Sequence, residues 1–570
     1  MKKILIATFA LASICVAATA QDSYYAEMLS RNNYYGTARS VALGNAMTAL
    51  GGDLGSIGIN PAGSAVANYS QFTITPGLLF SSTGASYSPD GSQNFGSPYK
   101  TSHTKFNLPN IGLMFTMFSN DEYSSMRSMS MGFVANTTNT FLNYTTARGV
   151  NSATSFLGGL AAGAYGLSRD QMPRDLYAAY CANQIGEYGP VGSNVYAGAN
   201  QRINDAETYA YVPGDLDQAS VYNTYGSKSD IAFNIGFNMS NRFYFGFNLG
   251  IPTLQYSRQE VFSEVAREPG LFPVIFYTSD SGSSKVSTNY SSSTNSYALN
   301  SKATGIYGKF GFIVLPTDHL RIGAAIQTPT MYSVTERWQY QAATSYENSD
   351  FDGNWKSTIG EASYSLRAPY IVDAGVAYTL PGIGLFSVDY ELTDYSVMQY
   401  RDESDDYYFN TVDNWAATNA VNKAFCGVSH SVRAGIEVKP LPELSIRAGY
   451  SFVTDPEKYY DNLSGGDIVT AETVQFLGNS TAFKQQLGDS HYFRNTTHAV
   501  SLGAGYSSPG SFFADVALRL TSYPVSYYAP YYYGSYEAVD KNNKVINYGS
   551  PLERLERNVF DVLLTLGWRF

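Results

Sequence analysis

The chain is short of cysteine, of charge and of long apolar runs, and each shortage excludes something. Beyond residue 20 the only cysteines are Cys181 and Cys426. Two cysteines make neither a disulfide framework nor a thiolate metal site, and their spacing leaves open whether they are bridged. Only 15% of residues are charged, and without Lys2 and Lys3 there remain 34 basic against 47 acidic residues, a net charge of −13. Phosphate backbones need a basic surface, so no nucleic-acid partner is expected. Past the leading segment there is no run of ~18 apolar residues, so no further transmembrane helix is expected. There is no G-x-S-x-G elbow. Ser490-His491 has no evident orienting acid, and His491 and His498 lack metal-site spacing. Asp350-x-Asp352-x-Asn354 places its glycine, Gly353, too early for a calcium loop of the EF-hand kind. No catalytic residue, cofactor or metal is expected, and the chain does not read as an enzyme.

In plenty are 48 Tyr, 32 Phe and 51 Gly. Lys2 and Lys3, the apolar run Ile4 to Val16 and then Ala18-Thr19-Ala20 have the order of a secretory signal, expected at 1–20 with cleavage after Ala20. A lipid-anchor reading of Cys15 fits less well, because Ile14 stands where a small side chain is wanted. The stretch Ile231 to Ile251 then displays the dominant pattern. Ile231, Phe233, Ile235, Phe237 and Met239 share one face; after Ser240-Asn241-Arg242 the alternation resumes with Phe243, Phe245, Phe247, Leu249 and Ile251. Strands of about nine to eleven residues suit a tilted crossing of a bilayer.

The pattern recurs near 71–83, 107–118, 125–142, 229–239, 243–258, 303–315, 320–334, 364–380, 384–400, 429–439, 444–453, 496–507, 511–523 and 556–570. That predicts an all-β, antiparallel transmembrane barrel of about fourteen strands occupying 64–570, in which short turns alternate with long loops. The short turns follow Phe118, Met239, Leu315, Leu380, Lys439 and Ser507; long connections include 84–106, 143–228, 259–302 and 454–495. The longest, 143–228, carries helical spacing over Ser155 to Leu167 and Met172 to Ile185, read either as self-packing or as an outer shelf for ligand. The final strand, Phe560 to Phe570, alternates and ends on an aromatic, which resembles the signal that barrel-assembly machinery reads in outer-membrane proteins.

Between signal and barrel lies Asn33 to Gly63, rich in glycine and small side chains. Ala38, Val41, Ala42, Ala46, Met47 and Leu50 fall at helical spacing and predict one short helix. Asn60-Pro61-Ala62-Gly63 predicts a tight turn. Residues 21–63 are therefore expected to form a small helical hatch in the lumen.

Gly36-Thr37-Ala38-Arg39-Ser40 through Asn60-Pro61-Ala62-Gly63 resembles the N-terminal hatch of the FadL/TodX-type outer-membrane transport family. Leu315 to Thr330, Asp389-Tyr390-Glu391 with Asp394-Tyr395-Ser396, and Val432 to Glu437 with Leu444 to Tyr450 are similar to its hairpins. The resemblance implies a plugged fourteen-stranded barrel that passes long-chain fatty acids or hydrocarbons without an energy source. In that family, ligand caught outside reaches a site near the hatch and leaves by hatch movement or through the wall. The loops here are longer and richer in Tyr, Ser and Asn.

Strand phase turns Asp389, Glu391, Arg433, Glu437, Arg447, Asp515 and Arg519 inward. Buried charges need partners, so a bracing ladder of ion pairs is one expectation. The other is that Arg433 or Arg447 holds a carboxylate head. Asn60, Pro61, Ala62 and Gly63 are the expected gating turn. The reading is a monomeric barrel in the outer membrane of a Gram-negative-type envelope, bathed in lipid and moving hydrophobic ligands. The alternative is a structural or adhesin-type barrel that binds a partner through its Tyr-rich loops.

Overall fold

The computed structural model describes residues 23–570 apart from 90–93, 119–124, 189–191, 205–209, 278–284, 403–414, 457–458, 463–466, 470–490, 494–495, 532–535, 540–544 and 549. The expected signal at 1–20 and Ser490 lie outside the described residues. Antiparallel pairing runs from neighbour to neighbour and closes into a barrel of 14 strands.

The first three strands are β1 (Gln71–Ser88), β2 (Tyr99–Phe118) and β3 (Met126–Asn139, resumed at Asn143–Asn151). β4 (Leu216–Met239), β5 (Phe243–Ala266) and β6 (Lys285–Val314) are the longest. β7 (Leu320–Gln327 and Met331–Tyr346), β8 (Gly360–Arg367 and Ile371–Leu380) and β9 (Gly384–Asp394 and Gln399–Asp402) are each interrupted once. β10 (Val428–Leu441), β11 (Leu444–Thr454), β12 (Thr496–Ser507), β13 (Phe512–Ser522) and β14 (Leu552–Arg569) complete the wall. β14 pairs with β1 from Arg569↔Gln71 to Leu552↔Ser88, which seals the ring.

Every expected strand is present, but several run further than the sequence pattern predicted. The connection expected at 143–228 is strand up to Asn151 and again from Leu216, and that expected at 259–302 shrinks to 267–284. The reason lies in residues such as Thr288 to Ser293, TNYSSS, which keep a strand-compatible backbone but lose the apolar alternation. They stand above the lipid, where neither face needs to be greasy.

Within the crossing segments the alternation is intact and points outward. Phe233, Phe247, Phe310, Ile326, Val376, Ile436, Ile446, Leu502, Leu520 and Phe560 are exposed on the outside. Tyr378, Tyr506 and Phe570 flank this belt near the short turns. Tyr390 and Tyr450 flank it further along their strands, their hydroxyls meeting His430 Nδ1 at 2.6 Å and His498 Nδ1 at 2.8 Å. A belt of apolar side chains between aromatic girdles is the surface that a bilayer solvates. No helix among the described residues is long and apolar enough to cross a membrane.

The loop helices are α3 (Phe156–Ala164) and α4 (Arg174–Cys181), shorter than the sequence spacing indicated. Ser155 caps α3 by accepting Gly158 N–H, and Pro173 stands at the cap of α4 rather than inside its first turn. Another helix, Ala416–Phe425, was not anticipated. Cys181 and Cys426 form no disulfide.

Candidate functional site

The N-terminal segment fills the barrel from the side of the short turns. It begins with α1 (Ser23–Ser30), continues through α2 (Ala38–Ala42), and ends in two 3-10 turns at Leu54–Gly58 and Pro61–Val66. The single helix expected from Ala38 to Leu50 is cut short after α2. Gly44 at φ 64° and Asn45 at φ 61° take left-handed backbone there, which a helix does not tolerate. Asn60 to Gly63 is not an isolated tight turn either. Asn60 caps the second 3-10 turn by accepting Ala62 N–H, and Pro61 occupies its first position.

Each expected gating residue has a definite seat. Asn60 Nδ2 donates to Thr48 O at 2.7 Å and to Phe312 O of β6 at 3.1 Å. Pro61 O accepts Asn234 Nδ2 of β4 at 3.0 Å. Ala62 packs with Ala65, Tyr244 and Ile313. Gly63 O accepts Gly52 N–H at 2.8 Å, joining the two halves of the segment. A Cβ on Gly51 would stand 2.8 Å from Gly63 Cα, so both positions need the smallest residue.

The wall is shaped to receive this segment. A Cβ on Gly311 would lie 2.0 Å from Asn60 Oδ1, on Gly246 2.5 Å from Pro61 O, and on Gly236 2.3 Å from Ser64 Oγ. Those three glycines face one another across β4, β5 and β6. On the neighbouring β7 a Cβ on Gly323 would meet Thr48 O at 2.2 Å, and further round the wall one on Gly435 would meet Leu43 O at 2.5 Å and one on Gly449 Gly44 N at 2.1 Å. Gly435 and Gly449 are also direct partners, across β10 and β11. The inward face therefore carries a belt of missing side chains, and the hatch backbone occupies the space.

Wall side chains then bond to hatch backbone. Asn248 donates to Ile57 O at 2.8 Å, Lys309 to Gly58 O at 3.1 Å, and Arg321 to Leu50 O at 2.9 Å. Asp389 Oδ2 accepts Thr48 N–H at 2.6 Å. Higher up, Lys228 Nζ donates to Leu29 O at 2.9 Å and Ser30 O at 3.1 Å, a cation closing the C-terminal end of α1.

Of the seven inward charges read from the sequence, six are ion-paired, and Asp389 holds the Thr48 N–H instead. Asp373 meets Lys309 at 3.1 Å and Arg433 at 3.0 Å, and Arg433 also reaches Glu391 at 3.0 Å. Glu437 joins Arg447 at 2.6 Å to hatch residue Arg39 at 3.1 Å, while Arg447 continues to Asp515 and Arg519 pairs with Asp561 at 2.9 Å. Arg433 lies 5.2 Å from the Tyr34 ring and Arg519 4.2 Å from that of Tyr35, so both also grip the hatch. Arg433 and Arg447 are thus committed to carboxylates of the chain itself. Lys309, Asp373 and Asp561 were not singled out from sequence, although the same inward phase on their strands marks them.

Above the hatch the wall has a seam. The β2–β3 ladder stops at Asn110↔Asn136, beside Pro109, which offers no N–H. The resumed segment of β3, Asn143–Asn151, is laddered to β4 alone. It leans inward until Ala147 packs with Ala85 and Tyr87 of β1. Between 99–109 and 143–151 there are side-chain bridges but no ladder among the described residues. His103 stacks on Tyr144 at 4.2 Å and Arg148 lies 5.1 Å from the Tyr99 ring, while Lys105 reaches past the segment to donate to Gly226 O of β4 at 2.5 Å. A cavity of about 180 Å³ lies against the bend, lined by Asn139, Phe141 and Asn143 of the seam and by Glu27 and Arg31 of the hatch.

Fold and lumen together define a transmembrane β-barrel closed by its own N-terminal segment. No family profile and no curated protein sequence matches the chain. Among solved structures it is similar to a FadL homologue of Pseudomonas aeruginosa, at 11% identity over 95% of this chain and 100% of that one, TM-score 0.47. It is also similar to the toluene transporter TodX of P. putida, at 12% identity over 94% and 99%, TM-score 0.44. A third is the toluene transporter TbuX of Ralstonia pickettii, at 11% identity over 94% and 99%, TM-score 0.41.

Proposed function

We propose that this barrel is an outer-membrane channel for passive uptake of hydrophobic small molecules, with the hatch as its floor and the seam as its exit. The observation that carries the reading is the conjunction of the two. A filled lumen denies water and ions a straight path, and a general porin has no use for such a plug. The cavity above the hatch adjoins this break in the β2–β3 ladder, beside exposed Phe106 and Leu108. An apolar solute leaving there enters lipid without crossing the hatch.

Asn60 to Gly63 holds the floor in this scheme, because its loss frees contacts to β4, β5 and β6 at once. Long-chain fatty acids are one cargo class within the proposal. Their head groups would have to displace Asp373 or Glu391 to reach Arg433, which favours a bracing role for that residue over head-group capture.

The exit is tested by closing it. His103→Cys with Tyr144→Cys, joined by a short bifunctional maleimide in protein reconstituted into vesicles, is expected to lower transfer of an uncharged aromatic by at least about fivefold, since the wall is then a fixed barrier. The same variants without linker should transfer at the wild-type rate. Undiminished transfer across the joined seam excludes it as the exit.

A further inference from the structure

A second, larger cavity sits near the loop end of the barrel, roofed by α3 and α4. Its volume is about 230 Å³. A cavity of ~150 Å³ holds benzene, so this one is sized for a single substituted ring. Rings line it: Tyr222, Tyr297, Tyr340, Tyr528, Phe156 and Phe262. Tyr297 and Tyr340 stand 4.8 Å apart, and Phe156 stacks on Phe262 at 4.9 Å.

The roof is held in place by a carboxylate unrelated to the cavity's own polar groups. Glu264 of β5 accepts Phe156 N–H at 2.9 Å and Leu157 N–H at 3.3 Å, at the start of α3. It also accepts Gln218 Nε2 at 2.7 Å and Asn200 Nδ2 at 2.9 Å. Four donors on one buried carboxylate make this end of α3 a fixed part of the site, not a passing contact.

Two polar atoms at the cavity are unsatisfied. Asp175 Oδ1 and Asn295 Nδ2 are shielded from solvent and have no hydrogen-bond partner among the described residues. Buried polar groups are nearly always bonded, so an orphan acceptor and an orphan donor lining one cavity point to a ligand. The charge balance narrows it further. Arg258 is consumed by Glu260 and lies 5.5 Å from the Tyr222 ring and 5.6 Å from that of Tyr297. Asp175 has no such cation among the described residues; its hydrogen-bond donors are the backbone N–H groups of Asp175 and Leu176. Arg174, its neighbour on α4, is exposed.

From this geometry we infer that the upper cavity binds a single-ring aromatic carrying a hydroxyl, which donates to Asp175 Oδ1 and accepts from Asn295 Nδ2 while the rings hold its body. An ionised carboxylate in the same place would have no proton to give Asp175 and would be repelled by it. Burial pushes the Asp175 carboxyl up to about 6, so at neutral pH it remains mostly the ionised acceptor. The inference deepens the channel reading and rests on it for the ligand's onward route, but binding itself is independent of transfer.

The test is equilibrium binding of p-cresol, toluene and p-toluate to the purified full-length protein. The wild type is expected to bind p-cresol at least about tenfold more tightly than toluene, the lower bound that two net hydrogen bonds supply, and to bind p-toluate most weakly. Asp175→Ala should bring the cresol-to-toluene ratio close to unity. Asp175→Asn keeps an acceptor and removes the charge, so it should retain most of that ratio while relaxing the exclusion of p-toluate. Asn295→Ala, on a different element, should lower the same ratio. Because the readout is a ratio, a general loss of folded protein does not imitate it. Equal binding of cresol and toluene by the wild type, or a ratio untouched in Asp175→Ala, overturns the assignment. Transfer of toluene by a protein that shows no cresol preference overturns this ligand class and leaves the channel standing. Cresol preference in a protein that transfers nothing supports the site and overturns the channel.

Discussion

Deletion of residues 33–63 is expected to turn a closed barrel into one that conducts ions freely. Eight strands enclose only enough space for side chains, whereas sixteen to eighteen leave an aqueous channel. A 14-stranded wall with a glycine belt in place of inward side chains lies near the second case once its filling is gone. Conductance in planar bilayers should rise by about two orders of magnitude, toward that of a water-filled porin. The wall itself should survive. Lys309–Asp373–Arg433–Glu391 and Arg447–Asp515 connect strand to strand and do not pass through the deleted residues. Arg39 leaves Glu437 in the deletion, but Arg447 remains on it. Heat-modifiable migration on a gel checks that the barrel has formed. A folded deletion variant with unchanged conductance refutes the hatch as the barrier.

The second large effect comes from a single added side chain. Gly449→Val places its Cβ where Gly44 N stands, 2.1 Å away, and the obstruction is backbone that cannot rotate aside. Overpacking of this kind costs about 1–3 kcal/mol where the surroundings yield, and more where they do not. The hatch yields before the wall does, because β11 is laddered on both sides, to β10 and β12. The expected result is protease cleavage within 38–66 and a conductance between those of the wild type and the deletion. Gly308→Val is the matched control. Gly308 lies on the outer phase of β6, and its nearest prospective neighbour is Phe247 Cζ at an ordinary 3.6 Å. It should behave as wild type. In the deletion background Gly449→Val should also fall silent, since its partner is gone; a persistent effect there would mean that the glycine serves the wall alone.

The architecture was legible because lipid imposes a strict rule. Phe243, Phe245 and Phe247 alternate with Tyr244, Gly246 and Asn248 because one face meets hydrocarbon and the other the lumen, and no other fold needs that pattern so often. Above the lipid the rule lapses. Ser292 to Lys302 therefore read as loop although its backbone is laddered to β5 and β7. The hatch was visible by composition but not by shape. Its apolar spacing reads on past Ala42, while the left-handed Gly44 and Asn45 follow from the tight space between Ala434 and Tyr450, which is tertiary. Of the lumenal charges, Arg433 and Arg447 could be placed inward by phase together with Glu391, Glu437 and Asp515, but phase did not say which of them meet, and Asp373 was not singled out. Arg433 draws on β8 as well as β9, and Arg447 on β12's far neighbour β13, contacts that reach past the adjacent strand and depend on register across two ladders. The glycine belt was present all along as an inward glycine in strand after strand. Its meaning appears only when Asn60, Pro61 and Thr48 are seen resting in it.

Transfer of labelled oleate and of an uncharged aromatic into liposomes, with a small sugar followed in the same vesicles, tests the central claim most directly. The account predicts that an apolar solute enters above the level of protein-free vesicles while the sugar stays out. Free entry of the sugar would mean a general porin and an ineffective hatch. Exclusion of all three solutes would contradict the channel and favour a barrel whose long Tyr-rich loops bind a partner.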